Sequence, residues 1–263
     1  MKLQIFQADA FASSLFKGNP AAVVPLKNWL PDELMQQIAL ENNLSETAFF
    51  IPEDDHFHIR WFTPKAEVKL CGHATLATAH VIFNELGFQD EQIEFNSKSG
   101  ILTVKKVEDK LQLDFPADFA QPVEPIPVFA EAFGTHPLAT FKGRTDYLLL
   151  FDSEETIRGF QPDISLLLST NARGIMVTAK GNEVDFVSRF FAPAVGVNED
   201  PVTGSAHTTL IPFWAKRLNK TEMTALQLSA RGGQLWCTLS GDRVLIAGKA
   251  VTYLRGEIEI HTN

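Results

Sequence analysis

A chain of 263 residues that is 45% hydrophobic has the material for one large core or for two of ordinary size. Its formal net charge of −9, with no dense run of Lys or Arg, argues against a surface built to grip the nucleic-acid backbone. Two cysteines, Cys71 and Cys237, make no disulfide framework. The longest uncharged stretch, Pro201 to Ala215, is too short to span a bilayer, and Met1 to Ala10 lacks the apolar centre of a signal peptide, so a soluble cytoplasmic protein is expected.

Alternation predicts a strand over Leu3 to Phe11, and Gly18-Asn19-Pro20 turns the chain into an apolar strand, Ala21 to Val24. Pro31 is expected at the first position of a helix over Asp32 to Asn42, with Asp32 and Glu33 favoured by the helix dipole. Strands follow at Thr47–Ile51, His58–Thr63, Gln92–Asn96, Ile101–Val107 and Leu111–Phe115. Residues 116–127 carry Pro116, Pro122 and Pro125, with Pro127 at the end, and read as an interdomain linker. Beyond it, strands are expected at Asp146–Phe151, Gly174–Ala179, Val184–Phe191, Gln227–Ser229, Gln234–Ser240 and Arg243–Ala247, then a strand pair around Val251–Ile260. This gives an N-terminal domain over 1–115 and a C-terminal domain over 128–250. The strands of 251–263 are a candidate for return to the first domain.

The halves share a motif. Arg60-Trp61-Phe62-Thr63-Pro64 followed by Cys71-Gly72-His73-Ala74 recurs as Arg189-Phe190-Phe191-Ala192-Pro193 followed by Thr203-Gly204-Ser205-Ala206, with a short insertion in the second copy read as carrying Asp200. Each copy runs into a helix with no charge before Glu85 or Lys216, and a helix apolar on every face is buried on every face. Two barrels of strands, each around a central helix, are therefore expected, with Pro212 kinking the second helix. Helix starts at Gly72 and Gly204 offer unpaired N–H groups and suit a carboxylate, although both glycines also fit plain tight packing.

Asp200 before Pro201 reads as a cap or as an acid/base partner of His73; His73 alone reads equally as a satisfied core histidine. Glu46 opens an apolar strand, where burial would make it a proton carrier and exposure an ordinary surface acid. Two-base racemases need a second base, and the position matching Cys71 is Thr203, so Cys71 reads as a small packed residue. The seven histidines show no metal-ligand spacing, and there is no phosphate loop or dinucleotide fingerprint.

These segments, with Gly18-Asn19-Pro20-Ala21-Ala22-Val23-Val24, Ser45-Glu46-Thr47-Ala48-Phe49, Glu199-Asp200-Pro201-Val202-Thr203-Gly204-Ser205-Ala206-His207 and Val251-Thr252-Tyr253-Leu254-Arg255-Gly256, resemble the phenazine biosynthesis PhzF-like isomerases across nearly the whole chain. The resemblance implies an α+β fold of the diaminopimelate epimerase type, with two pseudo-symmetric domains, no metal or organic cofactor and a homodimer. It implies that Glu46 is the acid/base of an interdomain cleft, that His73, Asp200 and Ser205 complete the catalytic set, and that Gly72 with Ala74 and Thr203 with Gly204 hold a small carboxylate substrate. The first motif has Gly72-His73-Ala74-Thr75 where phenazine enzymes tend to have Gly-His-Pro-Thr, so it is similar to relatives whose substrates are unassigned. The alternatives are an amino-acid racemase or epimerase, and a non-catalytic small-ligand binding protein on the same scaffold.

Overall fold

The computed structural model describes residues 1–260, and the two copies of the motif fall in different compact units. The first comprises Met1–Asp114 with the chain from Ala247 on; the second is Phe115–Ile246.

The first unit begins with β1 (Lys2–Ala10), β2 (Asn19–Pro25), α1 (Asp32–Asn42), β3 (Glu46–Glu53), β4 (His56–Phe62), β5 (Glu67–Val68) and α2 (Gly72–Asn84), followed by β6 (Gln92–Ser97), β7 (Gly100–Val107) and β8 (Lys110–Pro116). β1 pairs antiparallel with β2, β2 parallel with β3, β3 antiparallel with β4, and β4 parallel with β6. β6 and β7 continue antiparallel, while β5 lies against β4. The expected strand pair near the C-terminus is one long strand, Ala250–Glu259, running antiparallel along β1 from Ala10↔Ala250 to Lys2↔Glu259. Its alternating Thr, Tyr, Leu and Arg gave no turn signal at Gly256, which sits opposite Ile5 within the ladder. Pro31 caps α1 from outside rather than occupying its first turn.

α2 packs against β1, β2 and β3, and is buried from His73 through Ala79 and again from Val81 through Phe83. Its buried hydroxyls return to the helix itself: Thr75 Oγ1 donates to Cys71 O at 2.6 Å and Thr78 Oγ1 to Ala74 O at 2.7 Å. The threonine hydroxyls buried in this helix are thereby satisfied.

The second unit contains β9 (Gln121–Val123), α3 (Pro127–Phe133), β10 (Ala139–Lys142), β11 (Tyr147–Leu150), α4 (Glu154–Gly159), α5 (Ile164–Ser169), β12 (Ile175–Lys180) and β13 (Phe186–Ala192). A 3-10 turn (Pro193–Val195), β14 (Val197–Asp200), α6 (Gly204–Leu218), β15 (Glu222–Gln227), β16 (Gly233–Ser240) and β17 (Arg243–Gly248) complete it. The ladder repeats the first unit's: β11 and β12 parallel, β12 and β13 antiparallel, β13 and β15 parallel, β15 and β16 antiparallel, with β14 lying against β13. β2–β3–β4–β6–β7 and β11–β12–β13–β15–β16 are the same pattern used twice.

The stretch 116–127 expected as a linker belongs to this unit and supplies β9, in which Pro122 pairs with Phe141 of β10. α6 is likewise buried along most of its length and continues through Pro212, and Trp214 from it stacks on Phe186 and donates to Thr178 Oγ1 at 2.9 Å.

Candidate active site

The Gly18 turn and the start of β3 bring two side chains, Asn19 and Glu46, onto the N-terminus of α2. Gly18 has φ +67°, and a Cβ there would lie 2.1 Å from Ala10 O, so the turn that delivers Asn19 needs glycine. Asn19 Nδ2 lies 3.2 Å from Nδ1 of His73. On the other side of the ring, His73 Nε2 is 3.0 Å from Glu46 Oε2. That pair is at ion-pair distance but out of line for a hydrogen bond, and neither atom has another hydrogen-bond partner among the described residues. Within the first unit, Glu46 thus stands as a partner of His73. The His73 side chain is 6% exposed and that of Glu46 16%, so the unused bonding capacity of both lies almost out of water.

In the neutral ring, a bond from Asn19 Nδ2 to Nδ1 leaves the proton on Nε2, facing Glu46. In the charged ring both nitrogens donate, and half a turn of the Asn19 amide presents its oxygen to Nδ1. Burial opposes a charge on His73, but the neighbouring Cys71 and Glu46 outweigh it and raise its pKa well above the ordinary value. Cys71 itself is pushed up to about 11, first by burial and then by Glu46. The Cys71 sulfur is 3.5 Å from His73 Nδ1. Ligand atoms of Glu46, Cys71 and His73 lie within 4.8 Å of one another, and among the described residues this is the set that could hold a metal ion.

α2 has Cys71 as its N-cap and α6 has Thr203, neither with a capping bond from a side-chain oxygen, so the first-turn N–H groups have no acceptor within their own helix. At the second helix start, Thr203 Oγ1 donates to Asp200 Oδ2 at 2.5 Å. Gln227 at the end of β15 braces the same turn. Its Oε1 accepts from Thr203 N at 2.9 Å, and its Nε2 reaches Asp200 O at 2.8 Å and Thr203 Oγ1 at 3.1 Å. His207, one turn into α6, donates from Nδ1 to Thr203 O at 2.8 Å; its Nε2 is buried without a partner, and burial lowers its pKa to about 4. Ser205 is exposed, whereas Thr203 and Gly204 are buried.

The shared Arg of the motif explains how both helix starts are held. Arg60 makes a bidentate pair with Glu67, at 2.8 and 2.9 Å, and Arg189 makes the same pair with Glu199, at 2.7 and 3.0 Å. Each guanidinium also lies about 5 Å from the phenylalanine two residues on, 5.2 Å for Phe62 and 5.1 Å for Phe191. Glu67 precedes Cys71 by four residues and Glu199 precedes Thr203 by four, so the copies align from glutamate to helix without a gap. The insertion is therefore the 3-10 turn after Pro193, and Asp200 stands in the position of Val68 rather than in inserted chain.

Asn19, Gln227 and the two Arg–Glu clamps were not singled out from sequence as site residues. Asn19 carried a usable signal, since Gly-Asn-Pro ahead of a buried strand marks a constrained turn. Gln227 carried none.

Residues 8–256 match the model of the PhzC-PhzF family, described as phenazine biosynthesis-like protein. The chain is 53% identical over 260 residues to an uncharacterized isomerase of Pseudomonas aeruginosa, covering 99% of this chain and 100% of the relative. It is similar to the crystal structure of a phenazine biosynthesis PhzF-family protein from Enterococcus faecalis at TM-score 0.97 and 47% identity, covering 99% of this chain and 100% of that one. A hydroxyproline epimerase of Agrobacterium vitis shares the fold at TM-score 0.64 and 10% identity, covering 98% of this chain and 92% of that one. The α+β epimerase-type fold implied by the resemblance is thus the fold of its structural neighbours, and the chain belongs to the PhzC-PhzF family of phenazine biosynthesis-like proteins as a PhzF-like isomerase.

Proposed function

We propose that this isomerase moves a proton within a small carboxylate substrate, with Glu46 as general acid/base and His73 as the group that shares its proton. The observation that carries the proposal is the buried Glu46–His73 pair, 3.0 Å apart, whose facing atoms have no other hydrogen-bond partner. Structural ion pairs are normally satisfied on all sides; a pair left short is positioned to bond to something that comes and goes. As carboxylate, Glu46 removes a proton from one carbon of the substrate; as acid, it returns a proton to another. His73, charged, stabilises the carboxylate form of Glu46 across the 3.0 Å gap.

The N–H groups at Gly72, His73 and Ala74 are the proposed seat of the substrate carboxylate, favoured by the helix dipole. Asp200, Thr203, Gly204 and Ser205 are proposed to orient the substrate, with Gln227 fixing the turn that carries them. Thr203 is bonded to Asp200 and Gln227 and is no base, which weighs against two-base racemisation. The homodimer implied by the family is read out by analytical ultracentrifugation.

The test is deuterium incorporation from D2O into a panel of small cyclic and amino carboxylates, followed by NMR for wild type, Glu46→Gln and His73→Gln. Incorporation by wild type that falls in both variants supports the pair. Binding of a panel member with no incorporation by wild type would favour the non-catalytic reading.

A further inference from the structure

Pro212 interrupts the hydrogen bonding of α6, and the chain running beside the helix uses the break. With no N–H of its own, Pro212 leaves Thr208 O to another donor, and Asp118 N takes it at 3.0 Å. The Asp118 carboxylate in turn accepts from Thr209 Oγ1 at 3.0 Å and from Arg144 N, so the chain entering β9 is pinned to the helix. The residues that follow, from Phe119 to Pro122, leave a groove of about 440 Å³ against β10 and the second half of α6. Its lining is aromatic and its charges are all positive. Phe141 of β10 meets Phe213 of α6 edge to face, with ring centroids 5.0 Å apart, and Phe119 adds a ring that is 54% exposed. Lys216 and Arg217, three and four residues after Phe213, share its face of the helix and line the same groove, which contains no carboxylate. Basic residues in a last helical turn commonly serve its free carbonyls. Arg217 instead points back over the preceding turn, 4.6 Å from the Phe213 ring and 6.0 Å from that of Phe141. Neither cation has a carboxylate partner among the described residues, in a chain of net charge −9.

We infer that this groove binds a small planar aromatic carboxylate. The carboxylate pairs with Lys216 and Arg217, and the ring packs on the phenylalanines, as the Arg217 guanidinium already does. Lys and Arg side chains carry donors and no acceptors, so the groove selects an anion over a cation. Its volume lies in the range of about 300–1,000 Å³ usual for small-molecule sites. Phe213 stands nine residues beyond Gly204, about 13 Å along the helix, so the groove is distinct from the helix start that carries the candidate active-site residues. The binding does not rest on the acid/base reading of Glu46.

The experiment is calorimetric titration of the full chain with 2-naphthoate, for wild type and for the double variant Lys216→Gln/Arg217→Gln, with amide NMR spectra recorded along the titration. Both substituted side chains are exposed and hold no ion pair, so the variant keeps the fold. The proposal expects a binding step in wild type that shifts the amides of Phe119, Gln121, Phe213 and Lys216. That step weakens at least about tenfold in the double variant, which loses two charge-assisted contacts. Phe119→Ser weakens it about threefold, the loss of one ring contact. The uncharged isostere 2-naphthylmethanol binds at least about tenfold more weakly than 2-naphthoate, and cyclohexanecarboxylate, which keeps the charge without the planar ring, about threefold more weakly. A wild type that shows no such step, or a double variant that binds 2-naphthoate as tightly as wild type, overturns the site. Equal affinity for cyclohexanecarboxylate and 2-naphthoate overturns the aromatic selectivity. An acidic phenylalanine-containing peptide that shifts these amides where 2-naphthoate does not would assign the groove to a protein partner and overturn the small-molecule site.

Discussion

Loss of Arg189 is expected to cost the fold far more than loss of Arg60, although the two residues occupy equivalent places in the repeat. In Arg189→Leu, Glu199 loses both of its charged hydrogen bonds, and no other cation among the described residues pairs with it. Breaking a buried pair from one side costs about 3–5 kcal/mol, and the 24% exposure of the Glu199 side chain puts this one near 3. Arg189 also donates to Phe160 O at 2.7 Å and Ile157 O at 3.2 Å; Ile157 O keeps the Phe160 N–H, and the Phe160 carbonyl left short adds about 1 kcal/mol. The total is about 4 kcal/mol. In Arg60→Leu, Glu67 keeps Lys98 at 2.5 Å, and the other partner lost, Asp32, is 71% exposed, so about 1–2 kcal/mol is expected. Equilibrium unfolding in urea, followed by tryptophan fluorescence, measures both; Trp214 reports the second unit and Trp61 the first. A cost below about 2 kcal/mol for Arg189→Leu, or equal costs for the two variants, would refute the clamp as the device that seats β14 ahead of α6.

Burial lowers the pKa of His207 to about 4, against about 6.5 for the unfolded chain, so the unfolded state binds the proton first. Its contribution is whole above pH 6.5 and disappears as pH falls towards 4, up to about 3 kcal/mol. Wild-type stability measured between pH 7 and 4.5 should therefore fall more steeply than that of His207→Asn. His73, with its pKa raised, acts in the opposite sense: its contribution is whole below pH 6.5 and is lost as pH rises through its folded value, so His73→Gln should narrow its deficit as the solution is made alkaline. Gly18→Ala, which sets a Cβ against Ala10 O at a left-handed φ, should cost about 2–4 kcal/mol by thermal unfolding, and a neutral result would mean the turn can relax without loss.

Long-range regularities were legible in the sequence. The uncharged runs that became α2 and α6 announced burial on every face, and the duplicated motif announced two related helix starts. Short elements were not: α3, α4 and α5 span only six or seven residues, too few for a helical period to stand out. β15 was expected near Gln227–Ser229 but is Glu222–Gln227, where buried Met223 and Ala225 alternate with Thr224 and Leu226 and supply little β-branched or aromatic signal. In the site, Glu46 and His73 were singled out separately, yet their pairing depends on how β3 and α2 pack. Gln227 illustrates the harder limit, since a glutamine closing a strand looks the same whether it faces water or braces a turn through three hydrogen bonds.

The most direct measurement is the rate of deuterium incorporation into the carboxylate that wild type turns over, repeated with Glu46→Gln at equal substrate saturation. With Glu46 as the acid/base, the variant should lose about 10²–10⁴-fold in rate while still binding the compound. A variant retaining more than about one-tenth of the wild-type rate would contradict that role and move the proton carrier to another group.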